Sequence, residues 1–218
     1  MSELPRYFRY PRADVVDLVP RDRIRILDVG CAAGLVGAAL KDRQPCEVVG
    51  IEREPTVAAE ARRRLDDVLE LDLEAPSIDW PALFGAGRFD CLIYADVLEH
   101  LRDPWALLAA QRALLAPGGV VVVSVPNVRH YPVVLGLLLR GRWRYQDEGV
   151  LDRTHLRFFT RDSLLELLAG AGYAVRELRR EVHASRPARW LGGLCSRASR
   201  DFLARQFLVL AVSCDDAR

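Results

Sequence analysis

The chain has 218 residues, of which half are hydrophobic and 28% are charged. This composition is typical of a globular domain and excludes a fibrous or intrinsically disordered protein. Acidic and basic residues nearly cancel to a formal charge of +1, so no overall field draws the chain to nucleic acid, and we expect no nucleic-acid partner.

Short apolar runs alternate with helical patterns along the chain, which is the signature of βαβ units and a parallel sheet. The pattern predicts strands at 25–29, 47–51, 68–71, 89–94, 120–125, 173–178 and 207–212. It predicts helices from the turn at 30–34 to about 42, and at 55–66, 105–115, 133–139 and 161–171. The predicted fold is therefore α/β, with a Rossmann-like doubly wound, mostly parallel seven-stranded sheet, an antiparallel C-terminal strand and a lid insertion after strand five.

Two segments lie outside this alternation. Residues 127–159 are rich in aromatic and arginine residues, and we predict that they form a substrate lid region. They either close over an acceptor and recognise its phosphate or sugar, or pack on the sheet edge or on a second copy in a homodimer. Residues 181–206 are predicted to be a C-terminal helical insertion with an apolar stripe from Trp190 to Phe202. This helix either covers the sheet or rests on a membrane, where it would meet a lipid-linked acceptor.

A glycine-rich turn follows the first strand. Gly30 and Gly34 bracket the turn, and glycine lets a ligand approach backbone amides at the start of the next helix. Alone, the turn is also compatible with a tight strand-to-helix connection. Glu52, however, ends the second strand, from where a carboxylate can accept both hydroxyls of a ribose. Together, the two features favour an adenosine cofactor.

Four motifs in order carry a resemblance to a known family. They are Ile26-Leu27-Asp28-Val29-Gly30-Cys31-Ala32-Ala33-Gly34, then Gly50-Ile51-Glu52, then residues 89–101, which end in Leu98-Glu99-His100-Leu101, and then Leu115-Ala116-Pro117-Gly118-Gly119. Closely over 24–125 and more loosely to 175, the chain resembles small-molecule class I S-adenosylmethionine-dependent methyltransferases. The resemblance implies S-adenosylmethionine as cofactor and S-adenosylhomocysteine as product.

The same resemblance implies cofactor contacts by position. The turn with Gly30 and Gly34 would contact the methionine part, and Glu52 would hold the ribose. Asp72 would reach the adenine amine, with Leu73 beside the ring. Further cofactor contacts are implied for Asp28, Cys31, Ala32, Arg53, Ala95 and Asp96.

Two of these positions allow a second interpretation. Ala32 stands where the family usually has glycine, which carries a steric cost if the backbone needs a positive φ there. This departure leaves open a domain that keeps the fold without turnover. Asp96 follows the fourth strand, where it either contacts the substrate near the transferred methyl group or caps the turn at 97–101.

Methyl transfer from a sulfonium is an in-line displacement, so the enzyme must mainly hold the acceptor atom against the methyl carbon. A hydroxyl acceptor also benefits from a base, and histidine has a suitable pKa of about 6.5. The candidates are His100, His130, His155 and His183. We favour His155 because residues 151–160 resemble a stretch of methyltransferases from bacterial glycan and natural-product pathways. The pair Thr154-His155 is also similar to one in ubiquinone-type O-methyltransferases. For both His155 and His100, the alternative is a histidine that only packs or orders the backbone.

We therefore predict an enzyme that methylates a hydroxyl of a small polar acceptor, such as a sugar, a glycan precursor or a phenol. One alternative is an N- or C-methyltransferase on the same fold, which would not need His155. Another is a non-catalytic domain that binds S-adenosylmethionine. An NAD-dependent oxidoreductase is disfavoured, because no Tyr/Lys pair for hydride transfer is recognisable after the fourth or fifth strand.

The spacing of the cysteines and the length of the apolar runs indicate whether the chain binds a metal and where it is located. The five cysteines show no CxxC pair or zinc-finger spacing, so we predict no metal site. The first residues lack the apolar core of a signal peptide, and no run approaches the roughly 18 apolar residues that span a bilayer. We expect a cytoplasmic protein with a single domain over residues 1–218.

Overall fold

The computed structural model describes residues 12–182 and 197–216. Its centre is a seven-stranded sheet with the order β3-β2-β1-β4-β5-β7-β6. The strands are β1 (Arg25–Val29), β2 (Glu47–Glu52), β3 (Asp67–Glu70), β4 (Phe89–Ala95), β5 (Leu115–Pro126), β6 (Tyr173–Glu181) and β7 (Gln206–Ser213). Only β7 pairs in antiparallel fashion, with β5 and with β6. The predicted fold class is therefore confirmed.

Helices connect the strands and cover the sheet. They are α1 (Ala13–Val16), α2 (Leu35–Arg43), α3 (Pro55–Ala61), α4 (Trp80–Phe84), α5 (Pro104–Gln111), α6 (Tyr131–Arg140), α7 (Arg161–Gly170) and α8 (Arg197–Leu203). A short 3₁₀ helix at Leu98–His100 follows β4. Thr160 caps α7, since the Thr160 hydroxyl accepts the Ser163 amide and the Ser163 hydroxyl accepts the Thr160 amide.

The central strands are buried on both faces, as expected for a sheet that is covered on both sides. Leu27 packs into one core and Ile26 into the other, while Leu92 and Tyr94 of β4 have no exposed surface. The buried Tyr94 hydroxyl donates to the side-chain oxygen of Gln111 at 2.6 Å. This packing fixes the positions at which the parallel strands end.

The strand predicted at 120–125 begins earlier, at Leu115. Leu115 pairs with Phe89 of β4, and the next paired position is Val120, opposite Cys91. The Pro-Gly-Gly sequence that predicts a break therefore lies in a bulge within one strand.

Short elements and helix ends differ most from the sequence pattern. The helix predicted to reach 66 ends at Ala61, and the one predicted to reach 115 ends at Gln111. Two short helices, α1 and α4, were not predicted. In α4, the Asp79 carboxylate accepts the Ala82 amide at 3.0 Å, and Trp80 is buried. Elements of four or five residues are too short for a periodic pattern to be detected.

Residues 127–159 leave and rejoin the sheet at one point. Asn127 bridges to Phe159, and the Val128 amide donates to the Phe159 carbonyl at 2.9 Å. Between these ends lies α6, in which no residue is buried and Leu138 is 75% exposed. Whether this region closes over an acceptor, meets a second copy or touches a membrane stays a prediction.

The C-terminal insertion is described only in part. The helix α8 covers residues 197–203, whereas His183 and Trp190 lie outside the described residues. Within 12–182 and 197–216, no helix is long and apolar enough to cross a bilayer.

Candidate active site

A cleft of about 1030 Å³ opens at the edge of the sheet where β1, β2 and β4 end. Parallel strands bring their carboxyl ends to one edge, and this is where ligands bind in open α/β sheets. The predicted residues that line it are Asp28, Gly30, Cys31, Ala32, Glu52, Arg53, Asp72, Leu73, Ala95, Asp96, His100 and His155. Gly34 is not among the lining residues. It precedes α2 with φ +75°, and a Cβ there would lie 3.2 Å from the Ala61 backbone, so it serves the close approach of two helices.

The glycine turn rests against the end of β2. The amides of Gly30 and Cys31 both donate to the Ile51 carbonyl, at 2.8 and 2.9 Å. A Cβ on Gly30, which has φ +72°, would lie 2.7 Å from a methyl carbon of Val97. Glycine is therefore required here by backbone conformation and by space.

Ala32 adopts the left-handed conformation, with φ +48°. Glycine would adopt this backbone conformation without strain. Ala32 therefore carries the steric cost that the sequence analysis expects for a positive φ at this position.

We expect Ala32→Gly to raise the free energy of unfolding by about 0.5 to 1 kcal/mol, because the strain relieved exceeds the extra chain entropy of glycine. Urea denaturation of the ligand-free protein measures this change. Ala33→Gly in the same turn is the matched control: Ala33 has no positive φ, and its replacement should destabilise. An Ala32→Gly variant that loses stability would contradict the assignment of strain.

Glu52 and Asp28 place two carboxyl groups in the cleft. Glu52 accepts the Ala32 amide at 3.1 Å and the Glu54 amide at 2.8 Å, which orients it while leaving further lone pairs for ribose hydroxyls. Asp28 is 1% exposed, and its Oδ2 has no hydrogen-bond partner among the described residues. Burial, with the nearby Glu52 charge, raises the pKa of Asp28 to about 7.

The part of the cleft after β3 is lined by Asp72 and Leu73, which the family resemblance assigns to the adenine. The Asp72 carboxylate accepts the Glu74 amide at 3.0 Å, which shapes the loop, and Leu73 is partly buried against the core. The buried residue Leu101 also lines the cleft. It belongs to the motif at 89–101, but the sequence analysis assigned it no role.

Asp96 belongs to a polar network instead of capping the following turn. Its carboxylate accepts hydrogen bonds from the side chains of Arg12, Ser124 and Gln206, and its φ is +57°. Val97 occupies the cap position of the turn, and no side chain caps it. The capping interpretation is therefore wrong. The substrate interpretation stays a prediction.

Arg12, Ser124 and Gln206 were missed by the sequence analysis. Arg12 precedes α1 and carries no motif, yet only 11% of its side chain is exposed, and it also binds Asp14. Burial of Asp96 raises the pKa of that carboxyl, and the Arg12 guanidinium opposes the increase. The network joins Arg12, just before α1, to the ends of β4 and β5 and to the start of β7.

His100 and His155 lie edge to face, with ring centroids 4.8 Å apart. The amides of Leu156 and Arg157 both donate to the Glu99 carbonyl, at 2.8 and 2.9 Å. These bonds tie residues 127–159 to the 3₁₀ helix after β4, so two histidines from distant parts of the chain meet in one wall.

The hydrogen bonds of His155 bear on its protonation. Its Nδ1 lies 3.2 Å from the Val150 carbonyl, so the neutral tautomer that donates there keeps its lone pair on Nε2. The side chain is 8% exposed, and burial lowers its pKa. His100 Nδ1 lies 3.1 Å from the hydroxyl of Thr154, which donates to Asp152 at 2.6 Å. Burial also lowers the pKa of His100.

The same wall brings together three potential metal ligands. Ligand atoms of Glu99, His100 and His155 lie within 4.8 Å of one another, and Oε2 of the buried Glu99 has no hydrogen-bond partner among the described groups. These three side chains could hold a divalent ion. The absence of a metal therefore stays a prediction.

A doubly wound sheet with this strand order, a glycine turn and a carboxylate after β2 defines the class I methyltransferase architecture. The pocket fits an adenosyl sulfonium, since Asp28 offers an unpartnered buried oxygen among the described residues and Glu52 lines the same cleft. Residues 4–178 match the family model described as a methyltransferase domain. The chain belongs to this family of S-adenosylmethionine-dependent methyltransferases, and S-adenosylmethionine is its cofactor.

Relatives and solved structures agree with this assignment. A ubiquinone biosynthesis O-methyltransferase of Cereibacter sphaeroides is 31% identical over 183 residues, covering 82% of this chain and 71% of that protein. One from Xanthomonas campestris pv. campestris is 35% identical over 104 residues, covering 47% and 43%. An S-adenosylmethionine-dependent methyltransferase of Archaeoglobus fulgidus superposes with a TM-score of 0.65 at 16% identity, covering 94% of this chain and 96% of that one. At this identity, the last comparison supports the fold alone.

Proposed function

We propose that this methyltransferase acts on a hydroxyl of a small polar acceptor, such as a sugar, a glycan precursor or a phenol. The observation that carries the proposal is the buried His155, whose hydrogen bond to Val150 leaves Nε2 as the proton acceptor in the wall of the cleft. The name of the Cereibacter sphaeroides relatives, ubiquinone biosynthesis O-methyltransferase, supports oxygen as the atom that receives the methyl group.

The residues of the chain have two tasks in this reaction. When bound, S-adenosylmethionine supplies an electrophilic methyl carbon. Glu52, Asp72 and the glycine turn would hold the cofactor, and the walls of the cleft would hold the acceptor hydroxyl in line with that carbon. His155 Nε2 would take the hydroxyl proton as the oxygen attacks. A histidine that is neutral at pH 7 is already in the form that this step needs.

Labelled product identifies the acceptor atom. The enzyme is incubated with S-adenosylmethionine carrying a ¹³C methyl group and with pools of phenols, sugars and nucleotide-linked sugars. Carbon NMR of the products then distinguishes a methoxy group from an N-methyl or C-methyl group. We expect methoxy product. Methyl groups on nitrogen or carbon would contradict the proposal, as would the absence of turnover with every pool.

A binding experiment distinguishes an enzyme whose acceptor was missing from the pools from a domain that does not bind S-adenosylmethionine. We expect Glu52→Ala to weaken S-adenosylmethionine binding by about 10-fold to 100-fold, the range for losing charge-assisted hydrogen bonds. Isothermal titration calorimetry measures the Kd. Glu54→Ala is the matched control, because Glu54 is exposed and is not a lining residue of the cleft. Equal affinities for both variants would contradict the role of Glu52.

A further inference from the structure

Asp28 is a buried carboxyl group whose charge is not balanced by a cation within the described residues. It lies in β1, lines the cofactor cleft and is 1% exposed. Its Oδ2 has no hydrogen-bond partner in the parts of the chain that are described. An ionised carboxylate in such a position is unfavourable, because little water or protein dipole stabilises it.

The groups around Asp28 make its ionised form still less favourable. Glu52, at the end of β2, is a second carboxyl group and is held in place by two backbone amides. Among the described residues, the thiols of Cys31 in the turn and Cys91 in β4 are also affected by the charge of Asp28. Burial raises the pKa of both thiols, so they stay protonated and supply no charge. Burial and the Glu52 charge together raise the pKa of Asp28 to about 7.

We propose that Asp28 is a charge sensor for the cofactor: it carries a proton in the ligand-free protein and releases it when S-adenosylmethionine binds, but to a smaller extent for S-adenosylhomocysteine. S-adenosylmethionine carries an ammonium, a carboxylate and a sulfonium, with a net charge of +1. Its product lacks the sulfonium and is neutral. A positive charge entering a buried cleft favours the ionised form of a nearby carboxyl, and the low dielectric strengthens the effect.

This coupling would discriminate substrate from product. After methyl transfer, the sulfonium charge is gone while Asp28 is still ionised. The carboxylate then faces one positive charge fewer, which favours product release. The proposal concerns the cofactor alone and does not depend on which acceptor is methylated.

The direction of the pH dependence follows from linkage. If binding releases a proton, affinity rises with pH by up to about tenfold per unit over the range in which Asp28 is protonated when free and ionised when bound. Above about pH 7 the free protein is already ionised, so the affinity levels off. The ratio of the two dissociation constants, product over substrate, should rise with pH towards the same plateau.

Proton release is measured by calorimetry of the wild-type protein at pH 6.5 in two buffers of different ionisation enthalpy. The amine and carboxylate of the ligand are common to both compounds, so the difference between their proton counts isolates the sulfonium. With a pKa of about 7, up to about three quarters of a proton is available on Asp28 at this pH. We expect S-adenosylmethionine to release more protons than S-adenosylhomocysteine.

Asp28→Asn should abolish this difference and make the affinity ratio independent of pH. Asp42→Asn is the matched control, because Asp42 is exposed at the far end of α2 and should behave as wild type. Equal proton counts for the two compounds in the wild type would overturn the proposal, as would a difference that persists in Asp28→Asn. If Asp28→Asn binds neither compound, the wild-type counts decide alone.

Discussion

The substitution His155→Asn is expected to lower kcat by a factor of about 10² to 10⁴, the contribution of a positioned general base. Asparagine keeps an N–H that can donate to the Val150 carbonyl, as Nδ1 does at 3.2 Å, but it removes the lone pair at Nε2. A histidine that only packs would lose stability and leave the kcat of the folded protein nearly unchanged. Initial rates at saturating cofactor and acceptor, together with urea denaturation, separate the two outcomes.

The pH profile of kcat gives a second readout of the same residue. A base must be neutral to accept a proton, and burial lowers the pKa of His155 below its ordinary value of about 6.5. The wild-type kcat should therefore rise with pH on the acid side and reach a plateau by about pH 7. In His155→Asn this acid limb should be absent. An unchanged acid limb in the variant would assign the titration to another group.

His100→Asn is the matched comparison, because its ring lies 4.8 Å from that of His155 in the same wall. We expect it to lower kcat less than His155→Asn does. A greater loss in His100→Asn would assign the role of the base to His100.

Rates are also measured with a chelator, since Glu99 and the two histidines could hold a metal. A loss of wild-type activity on chelation would overturn the prediction of a metal-free site.

Much of the sheet could be predicted because its signals are local. The strand predicted at 25–29 is observed as Arg25–Val29, since a short, mostly apolar run that ends at a glycine turn is typical of a buried strand. The start of β5 could not be predicted in this way. Leu115 joins the strand by pairing with Phe89, and a bulge absorbs the intervening glycines. That pairing depends on a contact between strands, not on the local sequence.

In the candidate site, too, some positions follow from the local sequence and others depend on contacts between distant residues. Gly30 and Glu52 lie at strand ends that the motifs mark, and Asp72 follows the third predicted strand, so their positions in the cleft follow from the sequence. The partners of Asp96 do not: Arg12 is 84 residues away along the chain and Gln206 is 110. An arginine close to the start of a chain resembles any solvated charge. Its burial becomes evident only when the sheet brings the ends of β4, β5 and β7 together.

Arg12 is expected to be worth more to stability than an arginine near the start of a chain usually is. Its guanidinium binds the carboxylates of Asp96 and Asp14 and donates to Ser124 at 2.7 Å. Removing one partner of a buried ion pair typically costs about 3 to 5 kcal/mol, because the other charge stays buried. Since 31% of the Asp96 side chain is exposed, we expect Arg12→Ala to lower the free energy of unfolding by about 3 kcal/mol.

A double-mutant cycle tests the physical cause of this loss. In Arg12→Ala/Asp96→Asn no charge is left at position 96, so the double variant should be more stable than Arg12→Ala alone. Arg153→Ala is the matched control, because Arg153 pairs with Asp147 at the surface, where the two side chains are 64% and 88% exposed. We expect its loss in urea denaturation to be below about 1 kcal/mol. If Arg12→Ala were no more damaging than Arg153→Ala, the Arg12–Asp96 pair would not contribute the stability that its burial predicts.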